Sequence, residues 1–239
     1  MRIYLIGCMP EGKNSDLEER IMKILLAAVN AKYIHSNLAV YSLKAYAEDP
    51  AVEIGEYTIN QQKDDILMDI YKRQPDILCL SCYIWNLDYI EEIVLEIGKL
   101  RPDMPIWLGG PEVSYHAEEM LEQYPFLDGI MKGEGEITFR ELAVYYQNQE
   151  NGTEGKTLEE IHGITYRDAE GAIKSNPWRP VMDLSEVDFP YANLKKFENR
   201  IIYYESSRGC PFSCSYCLSS IDKRLRFRNL DLVKKELAF

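Results

Sequence analysis

Lys23-Ile-Leu-Leu-Ala-Ala-Val29 is a continuous apolar run of strand length. An amphipathic strand would alternate, so this one is predicted to be covered on both faces. Asn37 to Glu48 follows, with Val40, Leu43 and Ala47 spaced as one helix face. The same grammar repeats downstream. Val52–Ile59 reads as a strand, Asp64–Arg73 as a helix stopped by Pro75, and Asp76-Ile-Leu-Cys-Leu-Ser-Cys82 as a third, buried strand. Leu87, Ile90, Val94, Ile97 and Arg101 recur at helical spacing before Pro102 and Pro105. Ile106–Leu108 is a short strand, Val113–Tyr124 a helix, Gly129–Lys132 a strand, and a last helix runs to about Gln149. Five strand–helix units in succession predict an α/β fold: a doubly wound parallel five-stranded sheet with right-handed crossovers.

Beyond this unit the pattern changes. Gly163–Arg167 and Ala172–Ser175 flank Asp168-Ala-Glu-Gly171 and read as a β-hairpin. Asn176–Pro190 is proline-containing and reads as a linker. Arg200–Glu205 reads as a new strand, a cysteine cluster follows, and Asp231 opens a helix. The expected divisions are an N-terminal extension (1–21), an α/β domain (22–150), hairpin and linker (151–199) and the start of a further domain (200–239). Met1–Ile6 could be a strand, while Glu11–Arg20 is highly charged.

Hydrophobic residues make up 46% and charged residues 28% of 239, as a packed core requires. The longest apolar run, Ile24–Val29, is far too short to span a membrane, and no cleavage site follows Met1–Pro10. A cytoplasmic protein is expected. The net charge of −12 is uneven: residues 195–239 carry +5 and the rest −17. The acidic majority argues against nucleic acid as a partner. The basic tract is better read as a solvated face plus cations lining an anionic site.

Arg208-Gly-Cys-Pro-Phe-Ser-Cys-Ser-Tyr-Cys217 contains C-x-x-x-C-x-x-C. Three thiolates on one loop can hold three irons of a 4Fe-4S cluster and leave the fourth open. Zinc would require a fourth ligand that is not nearby, and three unpaired thiols are the remaining reading. Cys8, Cys79 and Cys82 sit in or beside apolar runs and read as small buried residues.

In an open parallel sheet, ligands bind where the strands end at their carboxyl termini. The loops there are 30–37, 81–86, 109–111 and 133–136. Composition alone balances a ligand site against ordinary tight turns.

The cysteine motif, with Tyr216 before its last cysteine, closely resembles that of the radical S-adenosylmethionine (SAM) enzymes. Ser81, Gly109-Gly110-Pro111 and Gly133-Glu-Gly-Glu136 ahead of it resemble the cobalamin-binding subclass. The resemblance covers nearly all of residues 22–239. It implies a flavodoxin-like domain with cobalamin over the strand ends, then the first strand and cluster loop of a partial barrel. It implies cluster ligands Cys210, Cys214 and Cys217, and cobalamin contacts at Asn30, His35, Ser81, Gly109, Gly110, Gly133, Glu134 and Gly135. SAM would bind the open iron, and an electron from the cluster would cleave it to a 5′-deoxyadenosyl radical. Methyl transfer to an unknown substrate, with flavodoxin or ferredoxin as electron donor, is the implied activity. Its alternative is a non-catalytic cobalamin-binding or sensing module with an unused cysteine loop. Only the start of a barrel is recognisable, so a fragment of a longer enzyme is expected.

The resemblance departs from the better-known cobalamin proteins at one point. Their D-x-H-x-x-G motif would fall on Asn30-Ala-Lys-Tyr-Ile-His35-Ser-Asn-Leu38, where Tyr33 replaces the Asp and Leu38 the Gly. His35 is therefore expected to contact the cofactor without ligating cobalt.

Overall fold

The computed structural model describes residues 21–221 and 224–238. Cys8, the two N-terminal segments read above and Lys223 lie outside the described residues.

The five strand–helix units form as expected. They are β1 (Ile24–Asn30), α1 (Leu38–Ala47), β2 (Val52–Thr58), α2 (Lys63–Arg73), β3 (Ile77–Ser81), α3 (Leu87–Leu100) and β4 (Ile106–Gly109). Two short helices follow, α4 (Pro111–Ser114) and α5 (Ala117–Gln123), where the sequence suggests one. β5 (Gly129–Met131) and α6 (Glu136–Asn151) complete the series. The parallel strands stand in the order β2-β1-β3-β4-β5, with Ala28 level with Ser81, Ser81 with Gly109, and Gly109 with Met131.

Every residue of β1 is buried, which is why its sequence does not alternate. Its side chains instead divide between the two faces. Leu25, Ala27 and Val29 pack with α2, α3 and α5 through Ile66, Ile70, Ile93 and Leu121. Ile24, Leu26 and Ala28 pack with α1 and α6 through Val40, Phe139 and Leu142.

The hairpin, β6 (Ile164–Arg167) and β7 (Ile173–Ser175), joins the same sheet. β6 pairs antiparallel with β5, and β7 with β6, giving seven strands. This covers an edge that β5 would otherwise expose, and Ile164, Thr165 and Tyr166 become buried.

The expected strand at 200–205 does not form as a strand. Only Ile201 makes a bridge, parallel to His35. The polar groups of this segment are met in other ways. Ile201 N donates to Ile34 O, Tyr203 N to the Tyr191 hydroxyl, and the Tyr191 hydroxyl to Tyr203 O. Side chains and the β1–α1 loop thus take the place of a ladder. A two-strand ladder of β8 (Ser207–Arg208) and β9 (Arg226–Phe227) comes next, then α7 (Leu230–Leu237). Among the described residues, no helix is long and apolar enough to cross a membrane.

Candidate cofactor-binding rim and cysteine loop

The four loops share one rim of the sheet and are hydrogen-bonded to one another. Asn37 Nδ2 of the β1–α1 loop donates to Ser81 Oγ at 3.3 Å. Asn86 Nδ2, in the β3–α3 loop, donates to Val29 O and Ser81 O. Cys82 N donates to Gly109 O at 2.7 Å. Ser114 Oγ donates to Gly110 O at 2.7 Å and accepts from Gly133 N at 3.2 Å.

Asn30 ends β1 with both amide donations spent, on His35 O at 3.1 Å and Glu56 Oε1 at 3.0 Å. Glu56 is the hub that sequence reading missed. Its carboxylate also accepts from Asn37 N, the Tyr41 hydroxyl and Arg200 Nη1 at 2.9, 2.6 and 2.6 Å. The signal was a pair of acids, Glu53 and Glu56, inside an otherwise strand-like run. Burial alone would raise the Glu56 carboxyl, but Arg200 and the other donors outweigh burial and lower it. The hydroxyl of Tyr41, buried against that carboxylate, is pushed up.

His35 Nδ1 shares a 2.5 Å hydrogen bond with the Tyr203 hydroxyl, and the two rings stack at 6.0 Å between centroids. Its carbonyl also accepts from Arg200 Nη2 at 2.6 Å. One ring nitrogen is therefore committed to the chain itself.

Of the four rim glycines, Gly109 has the most room: the nearest atoms a Cβ there would meet belong to Met131, at 3.7 Å. Gly110 has φ +120°, and a Cβ would lie 2.3 Å from Cys82 O. Its lack of a side chain therefore serves the approach of β4 to the β3–α3 loop rather than a ligand. Gly110→Ala should cost about 1–3 kcal/mol from backbone strain, read by urea denaturation. An unchanged midpoint would contradict this. Gly133 lies beneath Trp178, and Gly135 packs against Leu43 of α1.

The acidic pair in this motif has partners. Glu134 pairs with Arg226 and accepts from Met182 N at 3.2 Å. Glu136, 4% exposed, accepts from Arg208 Nη2 and Ser42 Oγ. The expected cofactor contact at Glu134 is thus a carboxylate already engaged by a guanidinium. Glu136 also supplies the negative charge favoured at the start of α6. Arg228 pairs with Glu236. Arg208, Arg226 and Arg228, which the sequence suggested as cations lining an anionic site, are therefore paired with the chain's own acids.

Large apolar side chains stand exposed on these loops, Tyr33, Ile84 and Trp85, and Tyr115 stands exposed just after α4, with Ile84 81% exposed. Tyr83 stacks on Trp85 at 4.5 Å, and Tyr115 lies against Trp178 at 5.2 Å. A rim of exposed aromatics around the small residues Ser81 and Gly109 fits a large ring with an apolar face and a polar periphery.

Cys210, Cys214 and Cys217 are half-buried thiols rather than disulfide halves, and Cys217 N donates to Cys214 O at 3.2 Å. Three accessible thiols on one loop are the donor chemistry that an iron–sulfur cluster requires. Among the described residues, no three His, Cys, Asp or Glu side chains are gathered closely enough to hold an ion. Cys79 and Cys82 are buried, as expected, and burial pushes the Cys79 thiol up to about 12.

The B12 binding domain family matches residues 24–143, from the first strand into the last helix of the parallel series. The chain is 28% identical over 192 residues to a 2-(S-pantetheinyl)-carbapenam-3-carboxylate methyltransferase of Streptantibioticus cattleyicolor, covering 73% of this chain and 27% of that one. It is 26% identical over 225 residues to the cobalamin-dependent radical SAM methyltransferase TokK of Streptomyces tokunonensis, covering 85% and 31%. In fold it is similar to the cobalamin-dependent SAM radical enzyme OxsB, solved with aqua-cobalamin and SAM bound. The TM-score is 0.71 at 24% identity, over 91% of this chain and 31% of that one. The chain therefore spans about a third or less of the length of these relatives. With residues 24–143, half its length, matched by one family, the chain belongs to the B12-binding domain family.

Proposed function

We propose that this chain is the cobalamin-holding and cluster-presenting part of a radical SAM enzyme that transfers a methyl group to a small molecule. One observation carries the reading. The loop with the three cysteines is tied by Arg208 and Arg226 to Glu136 and Glu134, beside the rim formed by Ser81, Gly109 and Gly110. Two stations that must exchange chemistry are thus held by one loop.

When bound, the cluster supplies an electron for SAM cleavage and cobalamin carries the methyl group. The chain's own residues hold and orient. The thiolates of Cys210, Cys214 and Cys217 would ligate three irons. Ser81 and Gly109 would leave room for the corrin, and the exposed Ile84 and Trp85 would offer it apolar surface. The electron would come from a low-potential donor such as flavodoxin or ferredoxin. The names of the relatives support methyl transfer as the reaction type.

The test is anaerobic reconstitution of the chain with iron and sulfide, then hydroxocobalamin, followed by gel filtration. Iron, sulfide and corrin are expected to co-elute with the protein. A chain free of iron and sulfide that still retains corrin would overturn the enzymatic reading in favour of a binding module.

The engagement of His35 with Tyr203 leads to a separate expectation. His35→Ala should leave the absorption spectrum of bound cobalamin unchanged, because His35, bonded to Tyr203, would not ligate cobalt. Loss of a nitrogen-ligated spectrum in the variant would contradict this.

A further inference from the structure

Arg208 and Arg226 stand directly opposite each other in the β8–β9 ladder. They bracket residues 209–225, the loop that carries all three cysteines. Like charges directly opposite on a ladder repel. Here both guanidiniums meet one acidic segment, the β5–α6 loop. Arg208 Nη2 lies 2.5 Å from Glu136 Oε1, and Arg208 Nη1 lies 3.7 Å from Glu134 Oε1. Arg226 takes Glu134 through both terminal nitrogens. Ser42 of α1 adds a 3.1 Å hydrogen bond to Glu136. The Glu136 and Arg208 side chains are only 5% and 16% exposed, so the pairing is poorly screened by solvent. Burial alone would raise the Glu136 carboxyl, but Arg208 outweighs it and holds the group below its usual range.

The neck of the loop is also tight. Gly209, between Arg208 and Cys210, has φ +90°, and a Cβ there would lie 2.0 Å from Arg224 O. Only glycine fits where the two sides of the loop meet.

We propose that Glu134 and Glu136 are positioning residues: they clamp the neck of the cysteine loop to the cofactor rim through Arg226 and Arg208, before any cofactor binds. Two acids at i and i+2 relieve the repulsion of the cross-strand arginines, and the ladder closes only with both in place. What the clamp positions rests on the cofactor reading above; the clamp itself does not.

The test is hydrogen exchange on the cofactor-free chain, comparing peptides over 205–217 with peptides over β1 and β3. Glu136→Gln and Arg208→Gln should each raise exchange in the loop peptides by about tenfold or more, with the strands unchanged. The double variant should be no worse than either single one, because the two residues act as a pair. Arg208→Lys should restore part of the protection. If Glu136→Gln unfolds the chain, Glu134→Gln gives the same reading from a less buried carboxylate. Unchanged loop exchange in Glu134→Gln and Arg208→Gln would overturn the clamp. Iron content after reconstitution separates the two ideas. An exchange response in a chain that takes up no iron keeps the clamp and rejects the cofactor reading. Normal iron uptake with an unresponsive loop does the reverse.

Discussion

Replacing any one of Cys210, Cys214 and Cys217 with serine is expected to abolish assembly of the 4Fe-4S cluster while leaving cobalamin binding within about twofold of the parent. Each thiolate would hold one iron, and a serine hydroxyl is too weakly acidic to replace it. The stability of the fold should change little, because all three side chains are partly exposed and lie outside both hydrophobic cores. The measurement is iron and sulfide per chain after anaerobic reconstitution, beside the melting temperature. Cys79→Ser gives the contrast. That thiol is buried among Ile24, Leu26 and Trp107, so the hydroxyl should lower the melting temperature and leave iron content alone. Full iron content in Cys214→Ser would contradict the assignment.

The second large effect is expected at Glu56. Removing the carboxylate with Glu56→Ala strands Arg200 and orphans the donors of Asn30, Asn37 and Tyr41. The side chains of Glu56 and Arg200 are 11% and 13% exposed, so water does not readily replace the lost partner. Breaking a buried pair on one side costs about 3–5 kcal/mol. Glu56→Gln keeps the shape and some acceptors and should cost less. The pair also predicts a pH dependence. The folded carboxyl titrates below its ordinary value of 4.5, so it binds a proton less readily folded than unfolded. Its contribution is complete above that ordinary value and is lost as pH falls through the folded one. Urea midpoints measured from pH 7 downward should fall on acidification, and the fall should be shallower in Glu56→Gln. Equal slopes for the two proteins would contradict this role for Glu56.

The parallel sheet was legible because its strands are apolar throughout. Ile24–Val29 and Ile77–Leu80 carry burial on both faces in their composition. The rim was legible for the same reason, since topology alone puts Ser81, Gly109 and Gly133 at strand ends. What the polar residues do there was not legible. Glu56 meets Arg200 across 144 positions, and Glu134 meets Arg226 across 92. Such pairs leave no periodicity, and an acid that ends as a buried partner looks, in sequence, like one that awaits a ligand. Glu134 was read in that second way. The segment 200–205 misled in a different sense. Its Ile-Ile-Tyr-Tyr composition suits a strand, but Arg200 and Tyr203 are drawn to Glu56, His35 and Tyr191 before a ladder can form. Trp178 was passed over as part of a linker, although it lies over Gly133 and against Tyr115.

If the proposed function holds, one chain carries cobalamin and an iron–sulfur cluster side by side, with cobalt free of protein nitrogen. Electron paramagnetic resonance of the reconstituted, reduced chain loaded with cob(II)alamin tests it most directly. The account predicts a cobalt signal without coupling to a protein nitrogen, broadened by magnetic interaction with the reduced cluster, and sharpened when Cys214→Ser removes the cluster. A cobalt signal that is identical with and without the cluster, and whose nitrogen splitting disappears in His35→Ala, would contradict it.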